Sequence, residues 1–145
     1  MRALLCLLLI LGGSLSGHLQ AEQAQQFGDY KVHYSVVNTT FVDPQVAARY
    51  QIVRDKERAF LNLSIREQLP NGESQALPAT LEGRTWNLFQ NQFFEFREIR
   101  EQDAIYYIGS FEFSDEEIRF FDVQILPEGA SRSYQLKFKQ KVYVD

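Results

Sequence analysis

Alternation with a period of two residues constrains this chain more than any other feature. Tyr30, Val32, Tyr34 and Val36 fall on one side, and Lys31, His33 and Ser35 on the other. Successive side chains of a strand leave opposite faces of its sheet, so such a run commits one face to a core. The pattern returns at Ala59, Leu61, Leu63 and Ile65, opposed by Phe60, Asn62, Ser64 and Arg66. It closes the chain at Tyr134, Leu136, Phe138, Val142 and Val144, opposed by Gln135, Lys137, Lys139, Lys141 and Tyr143. The β-branched and aromatic residues in these runs suit a pleated, half-buried surface.

Between these runs the sequence reads as further strands set off by turns. Pro70-Asn71-Gly72 predicts a hairpin turn, because Asn-Gly accepts the positive φ that tight turns require. Residues 74–81 return as a strand that Pro78 confines to an edge or a bulge. Phe93 to Ile99 and Ala104 to Phe113 follow as strands about the turn Glu101-Gln102-Asp103. The second carries apolar residues on both faces, as a central strand does. Trp86-Asn87-Leu88-Phe89 fits no element firmly. The last turns, Ser114 to Glu117 and Pro127-Glu128-Gly129, bracket a strand over 118–126. A single helix is expected near 44–51, where Asp43 is an N-cap and Pro44 the first helical residue. The expected fold is all-β: an immunoglobulin-like β-sandwich of about seven or eight antiparallel strands, forming one domain over residues 29–145. A small barrel is the alternative.

The N-terminus reads as an address. Met1-Arg2 precedes the apolar run Ala3 to Leu11, then Gly12-Gly13, and Leu19-Gln20-Ala21 supplies small or aliphatic residues for cleavage. This order is that of a secretory signal peptide over residues 1–21. The apolar run is about half of what a membrane span needs, so no transmembrane segment is expected in the mature chain. Cys6 lies within the apolar run after Leu5, the wrong place for lipidation. Removal of 1–21 leaves 124 residues with 14 basic side chains (15 less Arg2) against 19 acidic ones, a net charge of −5. No Cys remains, so the core alone must hold the domain. All 20 aromatic residues (12 Phe, 7 Tyr, 1 Trp) are retained for it. Export without disulfides points to a periplasm, and residues 22–28 read as a flexible lead-in. A net acidic chain is a poor ligand for nucleic acid phosphates.

The chemistry-bearing residues are few. His33 is the single mature histidine, with Ser35 on its strand face, and no Gly-x-Ser-x-Gly elbow surrounds either. Glu95, Glu98, Glu101 and Asp103 straddle one turn, and Asp115, Glu116, Glu117 and Asp122 gather near another. Neither group has the spacing of a calcium loop, and both are read as solvated loop charge. Lys137, Lys139 and Lys141 stand on one strand face. They serve either as a dock for an acidic protein, lipid or polysaccharide or as guards of an edge strand, and edge protection is the preferred reading. The doublets Phe93-Phe94, Tyr106-Tyr107 and Phe120-Phe121 send one ring to each face, and an outward set would form a binding platform. Asn38-Thr39-Thr40 and Asn62-Leu63-Ser64 match glycosylation sequons, which matter only in a eukaryotic host.

The stretches Gly28-Asp29-Tyr30-Lys31-Val32-His33-Tyr34 and Asn38-Thr39-Thr40-Phe41 carry a resemblance, as do Ala59 to Ile65 and Ala104 to Gly109. Together they resemble a family of small exported proteobacterial proteins classified only as a domain of unknown function. The resemblance covers nearly the whole mature chain, implies a periplasmic location and transfers no activity. Asn38, Thr39, Arg54 and Asn62 are the family-like polar positions. The expectation is a non-enzymatic binding or accessory protein without cofactor or metal, whose partner is an envelope protein or a saccharide. Its candidate contact residues are His33, Asn38, Thr39, Arg54, Lys137, Lys139 and Lys141. A small-ligand or saccharide binder is the alternative, and a carboxylate-dependent hydrolase comes third.

Overall fold

In the computed structural model, residues 22–145 are described; the expected signal peptide and its cleavage after Ala21 lie outside them. Two antiparallel sheets face each other. The larger holds β1 (Gln23–Phe27), β2 (Tyr30–Asn38), β3 (Arg58–Gln68), β4 (Ser74–Ala76), β7 (Arg97–Glu101) and β8 (Ala104–Glu112). Its order is β1-β2-β3-β8-β7, with β4 added beside β3. The smaller sheet is built from β5 (Ala79–Trp86), β6 (Asn91–Phe93), β9 (Glu117–Pro127) and β10 (Tyr134–Val142), in the order β10-β9-β5-β6. The β-sandwich expectation is met.

Ten strands replace the seven or eight expected, for three physical reasons. Residues 23–27, expected as a flexible lead-in, pair along β2 in a hairpin that turns at Gly28, whose φ is +59°. Their exposed polar side chains hide the strand from a periodicity argument, because backbone pairing alone holds it. The run 74–81 breaks at Leu77-Pro78, where the chain leaves the large sheet for the small one. Proline there gives up no ladder bond. The run 93–99 breaks in the same way over 94–96, crossing back. Phe94, buried at this crossing, packs so closely on Gly109 that a Cβ there would stand 2.8 Å from its ring.

Alternation then sorts the side chains. Val32, Val36, Leu61, Leu63, Ile65, Phe111, Phe121, Val123, Ile125 and Leu136 fill the space between the sheets. The outer phase of the large sheet builds a second core. Val37, Phe60 and Ile108 pack there with Val42, Ala47 and Ile52, brought over them by a 3-10 turn (Thr39–Phe41) and the helix α1 (Pro44–Arg49). Asp43 caps this helix as expected, accepting from the Gln45 amide at 2.8 Å. Tyr50 ties its end to the sheet by donating to Glu101 at 2.5 Å. β3 and β8 are thus covered on both sides, which explains their near-continuous apolar sequence. No described helix is long and apolar enough to cross a membrane.

Candidate functional site

Among the described residues, the outer face of the small sheet has no such cover. Its register sets Lys137 beside Asp122, Lys139 beside Phe120 and Lys141 beside Ile118 on β10 and β9. The β9–β5 register continues the rows to Arg84 and Trp86, and β6 adds Phe93 and Asn91. The indole of Trp86 stacks on the Phe120 ring, with centroids 5.6 Å apart and planes inclined by 18°. The Arg84 guanidinium lies 4.3 Å from the centre of the indole ring. Lys137 and Lys139 border the open depression of about 320 Å³ that these rings line. All three lysines are exposed, and β10 is an edge of its sheet. Exposed lysines on an edge strand stand where they block pairing with another chain.

A buried ion pair underlies one end of this face. Arg119 is fully buried on the inner phase of β9, where its Nη1 donates to Glu117 at 2.8 Å and its Nε to the Thr85 hydroxyl at 3.1 Å. Its guanidinium also stands 5.3 Å from the centre of the Phe111 ring. Glu117 accepts in addition from the Ser114 amide at 2.7 Å and from the Asn87 side-chain amide. Asn87 in turn accepts from the amides of Phe89 and Gln90 at 2.8 and 2.6 Å. The β5–β6 turn is thereby fastened to the interior by side-chain bonds. Glu117, expected as solvated loop charge, is a largely buried partner of Arg119 instead, with 10 % of its side chain exposed. The phase of β9 holds the missed signal: Arg119 shares the inner parity of Phe121, Val123 and Ile125.

The other candidate residues lie elsewhere. His33 is on the outer face of the large sheet, opposite Ser64, with Nδ1 3.1 Å from a Glu22 carboxylate oxygen. Asn38 donates to the Tyr143 carbonyl at 2.7 Å, tying β2 to the C-terminal segment. The fully buried Thr39 hydroxyl lies 2.9 Å from the Asp55 and Arg58 carbonyl oxygens and accepts from the Asp55 amide. Arg54 donates to the Thr40 carbonyl at 3.1 Å. Asn38, Thr39 and Arg54 thus gather where the helical cover joins the sheet, in contacts with backbone, while the lysines stand on the outer face of the small sheet. Of the doublets, Phe94, Tyr107 and Phe121 point into the core between the sheets. Tyr106 is covered on the large sheet, and Phe93 and Phe120 remain on the open face.

Of the carboxylates near the 101–103 turn, Glu98 accepts from the Tyr107 hydroxyl at 2.8 Å and from Arg100 at 3.3 Å. The Arg100 and Tyr107 hydrogen bonds hold its carboxyl below the usual glutamate value. Burial first, and the Glu98 carboxylate beside it, push the Tyr107 phenol up. That phenol also accepts from the Ala79 amide at 2.9 Å, bridging the two sheets. Among the described residues no group of three His, Cys, Asp or Glu is arranged to hold a metal ion.

Similar proteins share this architecture. A DUF4426 family protein from Pseudomonas aeruginosa is 30 % identical, with a TM-score of 0.74 over 86 % of this chain and 96 % of that one. FetP from uropathogenic Escherichia coli, recombinantly expressed in the periplasm, is 10 % identical, with a TM-score of 0.60 over 88 % of this chain and 99 % of its own. A copper-bound glutamate-to-glutamine variant of FetP is also 10 % identical, with a TM-score of 0.59 over 86 % and 97 %. At this identity the FetP structures show a shared fold alone. No curated protein matches the chain. The domain of unknown function DUF4426 matches residues 24–145, and the chain belongs to that family.

Proposed function

We propose that this protein is a non-enzymatic, exported binding protein of the bacterial periplasm, and that its working surface is the uncovered face of the small sheet. One observation carries the reading: strand register puts Arg84, Lys137, Lys139 and Lys141 around the stacked Trp86–Phe120 pair on a face that no other described element covers. Cations displayed with stacked rings, on a domain of net charge −5, are suited to an acidic component of the cell envelope. The apolar leader with its small-residue cleavage site supports export, as does the fold shared with a protein expressed in the periplasm. The copper-bound state belongs to the FetP variant. The described residues here hold one histidine and neither Cys nor Met, a poor donor set for copper.

The test is association with an isolated envelope fraction. Replacing Arg84, Lys137 and Lys139 together by glutamine is expected to abolish it. Replacing Lys31 and Arg66, on the other outer face, is expected to leave it intact. Equal retention of both variants overturns the proposal.

A further inference from the structure

The hairpin between β5 and β6 carries a feature that folding does not require. Leu88 and Phe89 occupy its tip, and each is 91 % exposed. Apolar side chains at a loop tip normally find cover or give way to polar ones. Here the tip is held out by design of its base. Asn87 binds the turn amides, Glu117 binds Asn87, and the buried Arg119 anchors Glu117. A tip held in this way loses little entropy when it inserts into something.

The residues below the tip identify the occupant. Moving inward along β5 from Leu88–Phe89, the chain presents Trp86 and then Arg84. On β10, across β9, Lys139 shares the row of Trp86 and Lys137 the row of Arg84, while Lys141 shares the next row towards the tip with Ile118, which is more than half exposed. At ~3.3 Å per residue, Arg84 lies roughly 13 Å from the tip. Apolar groups, then an indole, then cations is also the order met on leaving a bilayer, from acyl chains through the interface to anionic headgroups. Asp115 and Glu116 on the β8–β9 turn are acidic, and the Asp115 carboxylate accepts from the Val144 amide at 2.8 Å. A protein partner would need a pocket shaped for the tip, whereas a bilayer accepts it without one, and Arg84, Lys137 and Lys139 behind the tip carry the sign that an anionic surface attracts.

We infer that the β5–β6 hairpin is a membrane-surface anchor: Leu88 and Phe89 insert among the lipids while Arg84, Lys137 and Lys139 meet anionic headgroups. The inference rests on the binding face proposed above and names its ligand class as an anionic lipid surface. Trp86, the single tryptophan of the chain, is a built-in probe at the hairpin base.

The experiment adds vesicles of phosphatidylethanolamine with phosphatidylglycerol to the purified protein, and vesicles of phosphatidylcholine alone as control. Expected are flotation with the anionic vesicles, a blue shift of the Trp86 emission, and weakening by salt. Leu88→Ser with Phe89→Ser is expected to cut partitioning about tenfold or more, and each of Lys137→Gln and Lys139→Gln about fivefold. Thermal melting checks that the tip variant folds, as its two side chains contribute nothing to either core. Flotation that depends on the lysines but survives the tip variant overturns the anchor and leaves the binding face standing. Failure of the native protein to float on anionic vesicles also overturns the anchor. The envelope-fraction test then decides separately whether the face binds another acidic component.

Discussion

The two outer faces of the sandwich start from the same alternating strands and end differently. On the large sheet the outward phase includes Val37, Phe60 and Ile108, and a capped six-residue helix with its flanking turns closes over them. On the small sheet the outward phase holds Lys137, Lys139, Arg84, Trp86 and Phe120, and no described element crosses it. The first face is explained by stability alone, since every large apolar group on it is covered. The second is not. Its rings are half-buried, its cations lie in water, and an exposed apolar tip stands at its end.

The largest test breaks the covered face. Phe60 is fully buried, so Phe60→Ala is expected to cost about 3–5 kcal/mol in urea unfolding. Phe120→Ala, its counterpart on the open face, is expected to cost about 1 kcal/mol. Equal losses would erase the distinction. Next comes the support under the open face. Glu117→Ala leaves Arg119 charged and buried, and is expected to cost about 3 kcal/mol, with faster amide exchange at Phe89 and Gln90 as the local signature. A smaller effect sharpens the role of the helical cover. Asp43→Ala removes the cap and is expected to cost about 1 kcal/mol, with exchange rising over 44–49 and unchanged on the small sheet.

The smallest effect lies at the seam between sheets. Glu98 has a folded pKa below its ordinary value, first because of Arg100 and then because of Tyr107. Its contribution to stability is therefore present above the ordinary glutamate range and lost as pH falls through the lowered value. An NMR titration of the Glu98 carboxyl is expected to show a midpoint below 4.5, the unperturbed value, and Arg100→Gln is expected to raise it. No upward movement in that variant would remove Arg100 as the cause.

Periodicity made the architecture legible wherever a strand has one buried face. β2, β3, β8, β9 and β10 all followed from it, and the Asp43-Pro44 helix start from capping chemistry. What it missed has a physical reason in each case. β1 buries almost nothing, so no hydrophobic pattern marks it. β5 and β7 each continue an apolar run begun in the other sheet, and alternation does not register a change of sheet at Pro78 or Phe94. Among site residues, the lysine ladder was legible because three side chains at a spacing of two must share a face. That Trp86, Phe120 and Arg84 join it depends on the register between β5 and β9, which pairs residues more than thirty positions apart in sequence. Leu88 and Phe89 carried no signal, because two apolar residues in a chain give no sign of whether they are inside.

The position of β3 has a consequence in time. Its neighbour β2 arrives early in the chain and β4 follows directly, but its other long edge is completed by β8, about fifty residues later in register. β5 likewise waits for β9. Closing such distant pairings costs loop entropy before any contact repays it, and sheets of this kind fold in milliseconds to seconds rather than microseconds. With no cysteine among the described residues to trap a partial fold, a chain cut short before β8 leaves the edge of β3 open to other chains. A nascent copy thus keeps that edge open to aggregation until its last third is made.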